Sequence, residues 1–395
     1  MSFLKTKRVK NNLPKLLLYQ IFSNMFFFVP VLVLFWQDKG LNLTQIMTLQ
    51  SVFAFLMMFL EIPSGYIADI FGRRNTLLFA SIIETVAMII YSLGENFYHF
   101  LIGEMIFAVS TSFASGTLSS LAFDTLKNLD KEREYKRIWG NIFFWGMIAL
   151  SLSNLLGGFI AKANLRYALF ASIPFFMLSS IVVFFMQEPV REKPIIKEGY
   201  AKELFKTLKD IIRHKKLKWI IIYSAVINIF TQVAFWLYQP YFKFSGMDIA
   251  YFGVVFASFQ LVSGISSKYA HKIEKIFGKR YLFEMLIFLL AGSFFLMGNF
   301  IFWFSFSFAF IQQFVRGIKN IVIADYIHRQ TDSSVRATVL SAESFVRSSL
   351  FAVTIPFFGM IADTFSMQKT FFIIGVLAIV AGIVILTMMG KERVL

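Results

Sequence analysis

The chain of 395 residues lacks cysteine altogether and is poor in acidic residues, with 23 Asp and Glu against 39 Lys and Arg. The absence of cysteine excludes disulfides, thiolate nucleophiles and cysteine-ligated metals. No glycine-rich phosphate loop and no His-Glu-x-x-His motif is present, which disfavours direct use of ATP and a zinc hydrolase site. We therefore expect no cofactor, no metal site and no enzymatic activity.

Apolar residues are abundant instead. They make up 57% of the chain, which has 51 Phe and a mean hydropathy of +0.67. Apolar runs of about 20 residues recur along the whole length, and each is long enough to cross a bilayer core of about 30 Å as a helix. Backbone groups in lipid must be satisfied internally, which favours helices, and the alternation typical of a membrane barrel is absent. The sequence therefore predicts an all-α integral membrane protein.

Twelve such runs predict twelve spans in two groups of six, separated by one long polar segment. The spans are predicted at residues 15–37, 44–69, 76–94, 97–126, 138–161, 165–187, 217–242, 248–268, 280–297, 300–326, 336–362 and 368–390. The predicted domains are an N-terminal bundle (1–187), a partly helical cytoplasmic linker (188–216) and a C-terminal bundle (217–395). The first run is too long for a signal-peptide core, so we expect it to be a retained span.

The placement of basic residues predicts the orientation. The two tails and the even-numbered connections hold 31 of the 39 Lys and Arg, and such residues concentrate on the cytoplasmic side. Both termini are therefore expected in the cytoplasm. The net charge of +16 follows from this topology and is not taken as a sign of nucleic-acid binding.

The two halves also repeat by position. Several residues of the first six predicted spans occur again in the corresponding spans of the second half, at a constant distance along the sequence. This repetition indicates a duplication of six helices. At an offset of 201, Gly116, Asp124 and Gly158 recur as Gly317, Asp325 and Gly359, and at an offset of 204, Tyr19 and Asn24 recur as Tyr223 and Asn228.

A short charged turn between the second and third spans carries the most specific motif. Residues 65–74 read Gly-x-x-Ala-Asp-x-x-Gly-Arg-Arg, and a partial echo follows at 263–264 and 277–280. The turn closely resembles the loop between the second and third helices of the major facilitator superfamily. The resemblance implies a monomeric twelve-helix transporter of two six-helix bundles, which works by alternating access around a central site.

The same resemblance implies gating residues. It assigns Gly65, Asp69, Gly72 and Arg73 to a latch that stabilises one face of the transport cycle. Ile70 stands where the family usually has a basic residue, which predicts a weaker latch, and the alternative is a simple topological anchor.

Two acids at the inner ends of the fourth and tenth spans are further gate candidates. Asp124 precedes a connection that contains Lys136 and Arg137, and Asp325 precedes Arg336. We expect inner-gate ion pairs there, with helix capping as the alternative.

Three acids within or near the spans are proton-coupling candidates. A buried carboxylate in a membrane requires a partner or a water-filled cavity. Glu61 either titrates or forms a structural ion pair. Glu104 stands in a region where related drug–proton antiporters often carry Arg, and it is either a protonation site or a hydrated outer residue. Glu343 is the third candidate and precedes Arg347 by one turn.

Three cations and four amides are candidates for solute binding. Arg316 is expected about 13 Å from the inner surface, by the helix rise over nine residues, and Lys319 lies one turn nearer the cytoplasm. Arg347 is expected to pair with Glu343 within its helix. Trp36, Trp236, Tyr238 and Tyr241 are interpreted first as interfacial belt residues. The amide candidates for the cavity are Gln20, Asn24, Asn228 and Gln232.

These features together predict a secondary active transporter of a small organic solute in a bacterial inner membrane, with no nucleic-acid partner. The first expectation is proton-coupled export of amphipathic compounds, a common role of bacterial family members with this loop. The alternatives are proton-coupled uptake of an anionic solute, such as a carboxylate-rich metal chelate, with Arg316 and Lys319 as its binding groups, or lipid transport.

Overall fold

The structure is a computed structural model that describes residues 9–190, 209, 211, 213–331, 336–392 and 394. Within these residues the chain forms helices and no strand. Most of the predicted linker of 188–216 lies outside the described residues.

The helices of the first half follow the predicted apolar runs closely, except in the first run, which forms two short helices. They are α1 Asn12–Phe22, α2 Leu32–Asp38, α3 Leu43–Phe71, α4 Arg73–Leu93, α5 Phe97–Lys127, α6 Tyr135–Ala163 and α7 Leu165–Phe184. A 3₁₀ turn at Glu132–Glu134 precedes α6.

The second half has the same arrangement of long helices. They are α8 Lys215–Phe244, α9 Ala250–Phe277, α10 Lys279–Asn299, α11 Ala309–Arg329, α12 Arg336–Thr364 and α13 Met367–Lys391. A 3₁₀ turn at Ser305–Phe308 precedes α11.

Ten helices of the described chain, α3–α10, α12 and α13, are long and apolar enough to cross a membrane. The other two predicted spans correspond to α11, whose apolar run is interrupted by charges, and to α1 with α2, and these helices are not among the ten. The fold is therefore an all-helical membrane fold of the predicted class.

The chain divides into two compact units that do not coincide with the sequence halves. The first unit is Met1–Gly40, Phe55–Glu198 and Ile249–Ala257, and the second is Leu41–Ala54, Gly199–Asp248 and Ser258–Leu395. The start of α3 therefore belongs to the second unit, and the start of α9 belongs to the first.

The first predicted span is not one helix. Residues 23–31 are irregular, and Pro30 within them lacks an N–H and disfavours the helical conformation of its predecessor. One freed backbone group is bonded to α7: Ser172 Oγ accepts from Phe27 N–H at 3.2 Å. Such irregular backbone is tolerated at membrane depth only where protein surrounds it.

The tenth predicted span begins later than expected, at Ala309 instead of residue 300. The missing part is an aromatic segment in which Phe300, Trp303 and Phe304 are exposed. Exposed aromatic rings are typical of the membrane–water interface. The rings also raise the hydropathy of this segment, and for that reason the sequence predicts a span that begins too early.

The charged turn at 65–74 is shorter than predicted, because α3 and α4 are separated by Gly72 alone. The φ angle of Gly72, 99°, lies in the region that residues with a Cβ avoid. The echo at 277–280 is built in the same way: Gly278, with a φ of 76°, alone separates α9 from α10.

A five-residue pattern within this turn occurs a second time, at the end of α12. Gly65-Tyr-Ile-Ala-Asp69 is matched by Gly359-Met-Ile-Ala-Asp363. The second copy contacts the start of α3: Asp363 accepts hydrogen bonds from the N–H groups of Leu43 and Thr44 at 2.9 and 2.7 Å. A Cβ on Gly359 would lie 2.7 Å from Thr44 Cα, whereas one on Gly65 would meet nothing within 4 Å.

Replacement of Asp363 by alanine is expected to lower the free energy of unfolding by about 0.5–2 kcal/mol, the usual cost of losing a helix N-cap. The variant leaves the first N–H groups of α3 without their carboxylate acceptor. Thermal unfolding of the purified protein measures the effect.

Asp38→Ala is the matched control for this experiment. Asp38 is exposed and makes no hydrogen bond or ion pair with a described residue. Equal melting temperatures for the Asp363 and Asp38 variants would contradict the capping role.

Candidate functional site

A group of charged and polar side chains lies inside the second unit, contributed by α8, α9, α11 and α12. Lys319 on α11 is buried, with 4% of its surface exposed. Its Nζ donates to Asn228 Oδ1 at 2.9 Å and to Thr231 Oγ1 at 3.1 Å, both on α8. The sequence candidates Lys319 and Asn228 are therefore in direct contact.

Arg316 lies one turn before Lys319 and is held by two amide oxygens. Its guanidinium donates to Gln313 Oε1 at 3.1 Å and to Gln260 Oε1 at 3.2 Å. No described carboxylate lies within ion-pair distance of Arg316 or Lys319.

The predicted ion pair within α12 is present. Arg347 Nε lies 3.3 Å from Glu343 Oε1, and the same carboxylate oxygen accepts from Ser224 Oγ on α8 at 2.7 Å. Lys319 interacts electrostatically with three other charged side chains, those of Glu343, Arg316 and Arg347. The four charged groups thus form one electrostatic cluster.

Tyr238 organises the amides beside Arg316. Its hydroxyl donates to Gln312 Oε1 at 2.6 Å and accepts from Gln313 Nε2 at 3.1 Å, which turns the oxygen of Gln313 towards Arg316. Tyr238 and Tyr241 are fully buried, as is Trp36. The interpretation of these three residues as a lipid-facing belt is therefore wrong, since a belt residue is exposed to the interface.

The remaining amide candidates have other roles or no described contact. Asn24 lies in the irregular stretch after α1, and its Nδ2 donates to the carbonyl oxygen of Gln20 at 2.7 Å. The Gln20 side chain packs on Gly146, whose added Cβ would lie 2.7 Å from Gln20 Cγ. Gln232 is half-buried and makes no hydrogen bond with a described residue.

Acids rather than cations occupy the interior of the first unit. Glu104 on α5 is 4% exposed, and its carboxylate is within hydrogen-bonding reach of the Tyr91 hydroxyl. Glu84 on α4 is 8% exposed and lies near Tyr19. Glu84 was missed by the sequence reasoning, although a lone carboxylate inside the third apolar run was a visible signal. Glu61, in contrast, is exposed.

The gating candidates of the first unit form a local ion-pair network. Arg73 pairs with Asp124, lies 3.7 Å from Asp69, and donates to the carbonyl oxygen of Ser120 at 2.8 Å. Asp124 was expected to pair with Lys136 or Arg137. Its partner is Arg73, because the start of α4 lies beside the end of α5, while Arg137 pairs with Glu134 at 2.7 Å.

The corresponding acid of the second unit also has a local partner. Asp325 pairs with Arg329, one turn further along α11, at 2.7 Å. The expected partner Arg336 begins α12, and its side chain lies outside the described part of the chain.

The start of α4 is capped by a residue that is distant in sequence. Glu188 accepts from the N–H groups of Arg73 and Arg74 at 2.9 and 2.8 Å. Favourable interaction of a carboxylate with the exposed N–H groups of a helix start explains this contact. The segment after α7 is thereby tied to the charged turn.

A second ion-pair cluster joins three connections at the other end of the first unit. Glu95, between α4 and α5, pairs with Lys39 at 2.9 Å and with Arg166 at the start of α7. The hydrogen bond from Arg166, followed by that from Lys39, lowers the pKa of Glu95 below its ordinary value.

This lowered pKa predicts a pH-dependent contribution to stability. A carboxylate with a depressed folded-state pKa stabilises the fold above its unfolded pKa, about 4.3, and the contribution is lost as pH falls through the folded value. The difference in melting temperature between the wild type and Glu95→Gln should be constant near neutral pH, shrink as the pH falls below about 4.3, and vanish only below the folded-state pKa. Glu132→Gln, at an exposed acid, is the control, and a difference that persists in acid would contradict the assignment.

The geometry defines a class of protein. Apolar spans carry several charged side chains within them, and ionisable groups at membrane depth mark solute or ion pathways. Within the described residues no group of three or more His, Asp or Glu is placed to hold a metal ion. The chain is thus a multi-pass membrane protein with several ionisable side chains inside its spans.

Comparison with known proteins gives the family. The sequence profile of the Major Facilitator Superfamily matches residues 16–354, and the chain belongs to this superfamily. It is accordingly a transporter and not an enzyme.

Individual relatives are more distant. An uncharacterized transporter of Rickettsia bellii (strain RML369-C) is 24% identical over 190 residues, which cover 47% of this chain and 45% of that protein. The sugar transporter ESL1 of Arabidopsis thaliana is 29% identical over 178 residues, covering 44% of this chain and 35% of that protein. The matched segments therefore span less than half of either relative.

Among solved structures, the crystal structure of a mutant of the nucleoside transporter NupG matches with a TM-score of 0.80. The two chains are 12% identical, and the match covers 96% of this chain and 99% of that chain. At this identity the likeness concerns the fold alone.

Proposed function

We propose that this transporter moves a small organic anion by alternating access, coupled to protons. One observation carries the proposal: Arg316 and Lys319 are cations at membrane depth whose described partners are neutral oxygens. Glu343, which interacts electrostatically with Lys319, is already paired with Arg347.

The physical argument is one of charge compensation. A cation held inside a membrane protein costs several kcal/mol unless an opposite charge or water offsets it. Amide and hydroxyl oxygens offset part of this cost, and a bound anion offsets the rest. Arg316 also presents a planar fork of donors that matches a carboxylate.

Glu343 is the proposed proton-coupling group. Its carboxylate holds Arg347 on α12 and Ser224 on α8 together. Protonation removes the ion pair and weakens the contact between these helices. Proton binding is thereby linked to the helices that carry the solute site.

The test of the anion proposal is thermal stabilisation of the purified protein by a panel of organic anions, lipophilic cations and phospholipid-like amphiphiles. A ligand that binds only the folded state raises the apparent stability by mass action. Stabilisation by anions supports the proposal. Stabilisation by cations or amphiphiles alone would contradict it, and the amphiphile outcome would indicate lipid transport.

Export of amphipathic cations is the second candidate, because Glu84 and Glu104 are both buried in the first unit. Glu84 forms no hydrogen bond or ion pair with a described residue. A bound lipophilic cation would compensate Glu84 in the same way that an anion compensates Arg316. Stabilisation by cations that is lost in Glu84→Gln would favour this candidate.

Replacement of Glu343 by glutamine is expected to abolish the dependence of transport on a pH gradient while substrate binding remains. Glutamine keeps the size and a hydrogen-bonding oxygen but cannot exchange a proton. Uptake into proteoliposomes with and without an imposed gradient measures this. The control is Glu284→Gln, at a half-buried acid on α10 that pairs with Arg280 at 3.0 Å. Unchanged pH-driven uptake in Glu343→Gln would rule out coupling through this residue.

We further propose a bacterial inner-membrane location with both termini in the cytoplasm. The bias of Lys and Arg towards the tails and even-numbered connections supports this orientation. Labelling of single cysteines at the two termini of the cysteine-free chain from each side of the membrane is the direct check.

A further inference from the structure

The two cations of α11 are directed to different neighbours. Arg316 is held by Gln313 of its own helix and by Gln260 of α9. Lys319 is held by Asn228 and Thr231 of α8. Their head groups are therefore anchored at two separate places, although their positions on α11 are only three residues apart.

Each head group keeps donors that no described residue accepts. A guanidinium has five N–H donors and an ammonium has three. Two donors of each are used in the contacts above, which leaves three on Arg316 and one on Lys319. Hydrogen bonds from charged donors to anionic oxygens are stronger than those to neutral acceptors, so these unused donors favour a ligand with anionic oxygens at both places.

The charge balance of the cluster gives the ligand charge. With Lys319 in its ammonium form, which a bound anion favours, Arg316, Lys319 and Arg347 contribute three positive charges and Glu343 one negative charge. The cluster therefore has two positive charges in excess. Glu or Asp in place of two of the surrounding Gln and Asn residues would have nearly the same shape and would cancel these charges. The amides instead leave the two positive charges available.

We infer that the site takes an organic dianion with two separated anionic groups, a short dicarboxylate, with one group on Arg316 and the other on Lys319. Gln313 and Asn228 are the specificity-determining residues, because their neutral oxygens position the cations without cancelling them. This inference rests on the proposed function, since it assumes that the solute is an anion.

The orientation of Gln313 is fixed by a chain of hydrogen bonds. Its Nε2 donates to the Tyr238 hydroxyl, which itself donates to Gln312 Oε1. The Gln313 oxygen must then face Arg316, and the guanidinium is held from one side. Tyr238 is fully buried, so this chain is protected from water.

The experiment uses the full-length purified protein and measures thermal stabilisation by three probes. These are a four-carbon dicarboxylate, its monoamide and a small phosphomonoester. The dicarboxylate is expected to bind at least about tenfold more tightly than the monoamide, because the amide leaves one cation uncompensated.

Isosteric charge changes then test the two places separately. Gln313→Glu and Asn228→Asp each add one negative charge, so each should weaken the dicarboxylate at least about tenfold and remove its advantage over the monoamide. The combination of both changes should abolish binding of either anion.

Gln313→Met is the matched control. It removes the hydrogen bond to Arg316 without adding charge, so the preference for the dicarboxylate over the monoamide should remain even if both bind more weakly. Each variant is first compared with the wild type for melting temperature without ligand, and Gln260→Glu, at the Arg316 place, replaces Gln313→Glu if that variant does not fold.

Each outcome decides a different point. Equal binding of dicarboxylate and monoamide would overturn the two-charge inference and leave the anion proposal standing. Tighter binding of the phosphomonoester, weakened equally by both charge changes, would show a single dianionic group and overturn the two separate places. Absence of stabilisation by any anion would contradict the proposed function itself.

Discussion

Arg316→Gln is expected to remove anion-dependent stabilisation of the protein and to reduce anion transport by about tenfold to a hundredfold. The magnitude follows from a charge-assisted hydrogen bond of about 1.5–3 kcal/mol and the factor of ten per 1.4 kcal/mol. Glutamine can still bond to Gln313 and Gln260, but it cannot offer a cationic fork to a carboxylate.

The stability of the ligand-free variant gives a second signature. Arg316 carries a charge into a half-buried position with no described carboxylate, so its removal should leave the melting temperature unchanged or higher. A merely structural arginine would behave differently: its loss would lower the melting temperature without ligand. If Arg316 binds the solute, its replacement therefore removes the ligand response without lowering the ligand-free stability.

Arg329→Gln is the matched control on the same helix. Arg329 is exposed and pairs with Asp325 at 2.7 Å. Its replacement should affect neither anion binding nor transport, since exposed ion pairs contribute about 1 kcal/mol or less. Retention of anion-dependent stabilisation in Arg316→Gln would contradict the proposed site.

The second large effect concerns two glycines at equivalent positions of the sequence repeat. A Cβ on Gly317 of α11 would overlap the carbonyl oxygen of Ser263 on α9, whereas a Cβ on Gly116 of α5 would meet nothing within 4 Å. Gly317→Ala should therefore destabilise the protein by about 1–3 kcal/mol through overpacking. Gly116→Ala should be neutral or stabilise by up to about 1 kcal/mol, because alanine favours a helix more than glycine does.

Unfolding of the two variants in the same detergent measures this contrast, and each variant serves as the control for the other. The Ser267 hydroxyl donates a hydrogen bond to the Gly317 carbonyl oxygen at 2.9 Å. In Gly317→Ala the two helices must move apart, so this hydrogen bond is lost and its loss adds to the destabilisation. Equal effects of the two substitutions would show that the close approach at Gly317 does not contribute to stability.

Several features of the fold could be predicted because they depend on short stretches of sequence. The apolar runs became helices, and the glycine of the charged turn took a positive φ at Gly72. The pair between Glu343 and Arg347 follows from helical spacing alone. None of these depends on which helices are neighbours.

Other features escaped prediction because they depend on distant residues. The first span breaks at 23–31, where the freed N–H of Phe27 is accepted by Ser172, 145 residues away. Asp363 caps a helix that begins 320 residues earlier in the chain. Tyr238 is buried beside Gln312 and Gln313 instead of facing lipid, and its aromatic character gave no sign of this.

The sequence by itself determined the membrane class, the helices, the superfamily and the presence of charges within the spans. Hydropathy and short motifs are local properties, and they survive whatever the helices pack against. Only the tertiary structure decided which of the other charges are compensated: Arg73 has Asp124, but Arg316 and Lys319 have neutral oxygens. The reason is physical, since ion pairing is decided over a few ångströms between side chains that helix packing, not chain order, brings together.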